Sequence, residues 1–361
     1  MGILDKIITN EQQTQLQQFE PSLIVSKILE PLKEREKHIL AKRYGLQGHS
    51  IETLETIGKQ QGLTRERVRQ IEKALIKALK KNLPEEEHLT TARDLLINTI
   101  IEHGGVMAEE RLLTFLGLET DEDGNAVRFI LNLIVEVENL DGDPQVKTSW
   151  TTVGFNQDMI KDFVGESKNT LVKHGKPIPP EDFIEKFKQS EFYKKNLSQL
   201  NDKIILNFLH AASEIKKNPF GEFGLHHWNE IQPKDVGDKA YVVMKHHKKP
   251  EHYSVITELI NKHHFDKRTA YKETVHNELI KDKRFILVGR GMYALAEWGF
   301  EPGVVSDVIR DILKEKAKPL TRDEIVESVL ARRMVKKNTI LVGLSNKKLF
   351  KKVGKNLYAL A

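Results

Sequence analysis

A twelve-residue pattern occurs twice towards the C-terminus, and it limits the architectures open to this chain. Phe285-Ile-Leu-Val-Gly-Arg-Gly-Met-Tyr-Ala-Leu-Ala296 aligns without gaps to Phe350-Lys-Lys-Val-Gly-Lys-Asn-Leu-Tyr-Ala-Leu-Ala361. Phe, Val, Gly, Tyr, Ala, Leu and Ala coincide, and Arg290 matches Lys355 in charge. Apolar residues on both sides of a Gly-rich centre read as a β-hairpin whose one face packs on helices. Gly289-Arg-Gly291 and Gly354-Lys-Asn356 supply the residues that tolerate positive φ at a turn, and they leave a basic side chain at each tip. A segment repeated at this spacing points to small units joined in tandem.

Helical periodicity before each hairpin completes the units. Residues 239–247, 254–262 and 272–282 form one triplet of amphipathic segments, and 304–316, 321–331 and 337–346 form another. The same order is expected twice more upstream. Residues 91–103, 109–116 and 127–137 read as helices, with 121–125 an exposed loop and 146–153 a short strand pair. Residues 161–174, 181–187 and 200–212 follow, broken by the Gly- and Pro-containing stretch 175–180. Three helices and a terminal hairpin is winged-helix order. The expected fold is therefore mostly α, a helix-turn-helix followed by tandem winged-helix units with small β-hairpin wings. Its expected divisions are a tail 1–19, a helix-turn-helix 20–83, an acidic linker 84–88, and winged-helix-like units 91–154, 159–232, 237–300 and 304–361.

Charge is unevenly distributed over these 361 residues. The net charge is only +5, but residues 84–154 carry 4 basic against 15 acidic side chains, whereas 237–361 carry 26 against 15. Residues 1–83 carry 15 against 10, and 155–236 carry 12 of each sign. Phosphate binding needs positive charge, so the two ends are the DNA candidates and the acidic unit suits a spacer or a protein-contacting surface. The chain has no cysteine, which excludes disulfides and thiolate metal sites and fits a reducing cytoplasm. There is no signal-peptide core and no apolar run of membrane-spanning length.

The decapeptide Leu63-Thr-Arg-Glu-Arg-Val-Arg-Gln-Ile-Glu72 carries the most chemistry. A helix over 51–60 must turn at Gly62, and Thr64 is a good N-cap for a second helix starting at Arg65. Val68, Ile71 and Leu75 fall on one stripe of that helix. Arg65, Glu66, Arg69, Gln70 and Lys73 lie away from it. In the DNA major groove Arg pairs with guanine, Gln with adenine, and Glu accepts from cytosine. This composition after a Gly-containing turn predicts a helix-turn-helix recognition helix.

Here the sequence resembles a known family. Pro31 to Leu46, Thr53-Leu-Glu-Thr-Ile-Gly58 and Leu63 to Glu72 are similar to region four of sigma-70 family factors. The resemblance covers about residues 20–82. It implies recognition of a promoter −35 element in double-stranded DNA and contact with the β flap of core RNA polymerase. It also implies that Arg65, Glu66 and Gln70 read bases, with Arg69 at the boundary of base and phosphate and Arg67 near phosphate; Thr64, Lys73 and Lys77 on the same helix are further candidates for phosphate contact. After Glu72 the sequence is one residue shorter than the family's usual pattern. Nothing upstream resembles the strand-melting segment of such factors, so the chain is not expected to open a promoter alone. Ala240-Tyr-Val-Val, Pro250-Glu-His-Tyr253, Asp282-Lys-Arg-Phe285 and Val288 to Trp298 resemble the HARE-HTH winged helix, found in the δ subunit of bacterial RNA polymerase, in chromatin proteins and beside restriction nucleases. That resemblance covers residues 237–300, and the acidic tail of δ is missing.

Arg290 and Lys355, at the hairpin tips, are further candidates for phosphate contact. The paired histidines 226–227, 246–247 and 263–264 lack metal-ligand spacing, and Gly-Arg-Gly at 289–291 joins strand to strand, unlike a nucleotide loop. No catalytic constellation, cofactor, metal or small-molecule ligand is expected. Three functions fit: a promoter-binding transcription factor, a polymerase-associated adaptor or sigma competitor whose winged helices bind protein, and a DNA-binding partner of a restriction or repair system.

Overall fold

The computed structural model describes residues 16, 18–82, 87–118, 120–300, 305–332 and 337–361. Most of the expected tail, residues 84–86 of the expected acidic linker and Val304 lie outside the described residues. The chain divides into two compact units, residues 1–175 with 180–216, and residues 176–179 with 217–361.

The first unit opens with α1 (Pro21–Leu29), α2 (Glu34–Tyr44), α3 (Leu54–Gln61) and α4 (Arg65–Asn82). It continues with α5 (Glu87–Glu102), β1 (Val106–Ala108), α6 (Glu109–Phe115), α7 (Asp121–Leu133), β2 (Val137–Leu140) and β3 (Ser149–Thr152). α3 starts three residues later than the sequence suggests, because the Thr53 hydroxyl accepts from the Thr56 amide and sets the cap there. α7 differs more. Residues 121–125, expected as a loop, are its first turn. Thr120 caps it through the Asp123 amide, and Asp121, Glu122 and Asp123 sit where the helix dipole favours negative charge. The helix ends at Leu133, four residues before the expected end.

The expected strand pair at 146–153 is a single strand, β3, between two others. It pairs antiparallel with β1, Met107 opposite Trp150, and with β2, Asn139 opposite Trp150. Trp150 is buried, and its indole N–H donates to Glu109 Oε2 at 3.1 Å.

One hydrophobic core joins α1, α2 and α4 to the acidic segment behind them. Val25, Ile28, Leu29, Leu40, Leu46 and Leu75 pack with Leu95, Leu96, Ile100, Val127, Phe129 and Trp150. Polar ties cross the same boundary. Ser22 Oγ donates to Asp123 Oδ1 at 2.6 Å, and Asn125 Nδ2 donates to the Gly45 carbonyl at 3.1 Å. Tyr44 meets Phe129 edge-on at 5.1 Å.

α8 (Gln157–His174), α9 (Pro180–Phe187), α10 (Glu191–Lys195) and α11 (Asp202–Ala211) come next, α10 being absent from the sequence reading. Phe163, Phe183, Phe187 and Phe208 are buried together. Asn207 fixes α11 against β1, its amide donating to the carbonyls of His103 and Val106 at 2.8 and 2.6 Å. The strands β4 (Ile215–Lys217) and β5 (Phe223–Leu225) follow.

In the second unit the order helix, short strand, helix, helix, hairpin appears twice. α12 (Val236–His247), β6 (Glu251–His252), α13 (Tyr253–Lys262), α14 (Lys272–Lys281), β7 (Phe285–Gly289) and β8 (Met292–Leu295) form one set. α15 (Val305–Lys316), β9 (Leu320–Thr321), α16 (Arg322–Arg332), α17 (Lys337–Leu344), β10 (Phe350–Gly354) and β11 (Leu357–Leu360) form the other. Each sheet runs first, third, second strand, as β6-β8-β7 and β9-β11-β10, matching β1-β3-β2 upstream. Strands of two or three residues are too short to show alternation, which is why β1, β6 and β9 are invisible in the sequence.

Both repeated hairpins turn alike. The register slips between Leu287 and Gly289 and between Lys352 and Gly354. The left-handed residue is Gly291 in one turn and Asn356 in the other, each at φ 68°. The preceding glycines, also expected to serve the turn, are not in that region.

Candidate nucleic-acid interface

The recognition helix is built from a small core and a set of caps. Ile39 of α2, Ile57 of α3 and Val68 of α4 are fully buried against one another, with Leu54, Leu63 and Ile71 around them. Gly62 ends α3 in the left-handed region, and Thr64 opens α4 by accepting the Arg67 amide at 3.2 Å. The Thr64 hydroxyl keeps its own proton available to donate outward. Gly58 lets α4 start where it does, since a Cβ there would sit 2.7 Å from the Leu63 carbonyl oxygen.

With Val68 inward, Thr64, Arg65, Glu66, Arg67, Arg69 and Gln70 are all exposed on the first two turns, and Lys73 and Lys77 continue the exposed surface. Arg69 lies across Glu66 in a two-pronged pair, Nε to Oε2 at 2.8 Å and Nη2 to Oε1 at 2.7 Å. Gln70 Nε2 approaches the same carboxylate at 3.4 Å, and Arg67 Nη1 donates to Gln70 Oε1 at 3.2 Å. Glu66, Arg67, Arg69 and Gln70 therefore form one network. Arg65, Lys73 and Lys77 make no ion pair among the described residues. The Arg69 hydrogen bond holds the Glu66 carboxyl below the usual carboxylate range. A lowered value means the pair is intact at neutral pH and is lost only as pH falls through it.

Residues outside the expected site hold this surface in place. Glu72 accepts from Arg43 Nε at 3.2 Å and from the Tyr44 hydroxyl at 3.1 Å, fixing α4 on the end of α2. Burial first, and then the Glu72 carboxylate, push the Tyr44 phenol well above its ordinary range, so it remains a donor. Arg35 Nη2 donates to the Gln61 carbonyl at 2.9 Å at the C-terminal end of α3. Lys42 bridges Glu52 at 3.0 Å and Gln60 at 2.6 Å. The Gln-Ile-Glu ending was visible in the sequence, but the partners of Glu72 are 28 and 29 residues away and were not.

The two hairpin-tip candidates belong to the second compact unit, where Arg290 and Lys355 are exposed. Among the described residues no three His, Asp or Glu side chains converge as a metal site would require, and no helix is long and apolar enough to cross a membrane. His246 and His247 instead face Glu222 at 3.1 Å and Glu251 at 2.9 Å.

Residues 28–81 match the family model for sigma-70, region 4. Over 57 residues the chain is 49% identical to the RNA polymerase sigma factor RpoD of Helicobacter pylori, covering 16% of this chain and 8% of that protein. It is 43% identical over 56 residues to the sigma factor SigA of Lactococcus lactis subsp. cremoris, covering 16% and 15%. It is 40% identical over 65 residues to the sigma factor sigB of Arabidopsis thaliana, covering 18% and 11%. The chain therefore spans a small fraction of the relatives it matches. The matched segment contains the network on α4 and its supports from α2.

Proposed function

We propose that this protein is a DNA-binding factor of transcription initiation that reads a −35-like promoter element with the first two turns of α4. The observation that carries the reading is the surface of α4 itself, within a segment similar to sigma region 4. Arg65 is free to form a two-pronged bond with guanine, and Gln70 is suited to adenine. The Glu66–Arg69 pair orders two long side chains before DNA arrives, so less rotamer freedom is lost on binding. Thr64, Arg67, Lys73 and Lys77 supply backbone contacts around the base-reading group, and Arg290 and Lys355 add contacts from winged helices at 237–300 and 304–361. The same helix-turn-helix engages RNA polymerase, at the β flap.

Fluorescence anisotropy tests this reading with full-length protein on a duplex carrying a −35-like hexamer and on a scrambled duplex. Each good base contact contributes about 1–3 kcal/mol of discrimination. Arg65→Ala and Gln70→Ala are therefore each expected to reduce the hexamer preference by roughly 5- to 150-fold. Equal binding of wild type to both duplexes would overturn the reading.

A second reading is a polymerase-associated adaptor. The core shared between the helix-turn-helix and the acidic residues 87–154 favours it, because it brings strong negative charge alongside the DNA-reading element. Full function with Arg65, Glu66 and Gln70 all replaced by alanine would select the adaptor.

A further inference from the structure

The two repeated hairpins have the same backbone and different surfaces. Where the first has Ile286 and Leu287, the second has Lys351 and Lys352. Leu287 is 49% exposed, so the first hairpin shows an apolar side chain where the second shows an ammonium. The difference extends beyond the strand. Residues 337–361 contain six lysines and not one Asp or Glu, whereas the matching 272–296 include Glu273, Glu278 and Asp282.

We propose that the C-terminal hairpin and the turn before it form a phosphate-binding edge for duplex DNA, carried by Lys347, Lys348, Lys351, Lys352 and Lys355. This inference rests on the reading above that the chain binds DNA, and it assigns the sequence-independent part of that binding. All five side chains are exposed, and none makes an ion pair among the described residues. The sixth lysine, Lys337, lies 3.8 Å from Asp323. Glu324, on α16 just after the strand bordering β11, turns its carboxylate back onto Thr321, accepting from its amide and hydroxyl at 2.7 Å each. The edge thus has little local negative charge to neutralise it.

The chemistry separates this edge from α4. Lysine presents a compact point charge without the flat fork that reads base edges, so it suits phosphate regardless of sequence. Single-stranded nucleic acid is usually gripped by aromatic side chains on which bases stack. Here Phe350 is buried and Tyr358, across the ladder from Lys352, is half-buried against the core, so no fully exposed ring lies beside the lysines. Five unpaired charges without a stacking platform match a duplex backbone.

The test compares full-length protein with the triple variant Lys351→Ala, Lys352→Ala, Lys355→Ala on the scrambled duplex across a series of salt concentrations. Each lost phosphate contact lowers the slope of log K against log salt by about 0.9, so the triple variant should lower it by about 2.7. The hexamer-to-scrambled ratio should not change. Arg290→Ala, which removes a single cation, should move the slope by no more than about 0.9. A slope unaltered in the triple variant overturns the inference. So does tighter lysine-dependent binding to single-stranded RNA than to the duplex. Loss of hexamer preference in the wild type would instead count against the −35 reading alone, because the slope is measured on scrambled DNA. The substituted side chains are exposed, so an unchanged melting curve is expected and checks that the variant is folded.

Discussion

Phe129→Ala is expected to unfold α4, although position 129 lies 47 residues beyond the end of that helix. Phe129 is fully buried, edge-on to Tyr44, in the core that also holds Leu29, Leu40, Leu46 and Leu75. Removing a buried phenyl ring costs about 3–5 kcal/mol, a large share of the ~5–15 kcal/mol that holds a typical domain folded. Hydrogen exchange of full-length protein should show residues 65–82 and 121–133 losing protection together. Affinity for the hexamer duplex should fall as the folded population falls. If exchange accelerates in 121–133 while 65–82 stays protected, the two segments are separate cooperative units and the shared core does not couple them.

Gly58→Val should have the second largest effect, for the opposite physical reason. A glycine inside a helix costs about 1 kcal/mol relative to alanine, so its place in the middle of α3 needs a compensation. The compensation is close approach, since any Cβ would lie 2.7 Å from the Leu63 carbonyl oxygen, a backbone atom that cannot swing aside. Forcing side-chain bulk into that space costs about 1–3 kcal/mol or more and pushes the start of α4 off its position. Gly62 gives the contrast. A Cβ there meets nothing, but its φ of 63° penalises an L residue by about 1–2 kcal/mol. Gly62→Asn should recover most of that cost, while no residue type should rescue position 58. Duplex affinity and exchange of 65–82 report both substitutions, and wild-type values for Gly58→Val would refute the close-approach argument.

These two positions show what could be read from the sequence. The helix-turn-helix was legible because its signals are local: Gly62 at a left-handed turn, Thr64 as a cap, and Val68, Ile71 and Leu75 on one stripe. The start of α4 at Arg65 followed from them directly. The shared core was not legible. The apolar stripe over 91–103 states that a face is buried and says nothing of its partner. Residues 121–125 misled because Gly124 and three acids resemble an exposed loop. The same acids stabilise a helix start once Thr120 caps it. The network on α4 was half legible. Helical spacing sets Gln70 one turn from Glu66, but the stronger partner of Glu66 is Arg69, one residue nearer. Of the lysine edge only Lys355 stands out in the sequence, because it alone falls where the two repeats share a charge. In this chain the letters they do not share carry the chemistry.

The shared core also has a consequence in time. During synthesis α4 leaves the ribosome well before Phe129 and Trp150, which complete the core beneath it. At ~5–20 residues per second, the roughly 70 residues in between take several seconds to make. For that interval the helix has its exposed cations but lacks part of its apolar support. The nascent chain must wait for residue 150 before α4 rests on its complete core, so the timing of its stability is written into the order of the segments.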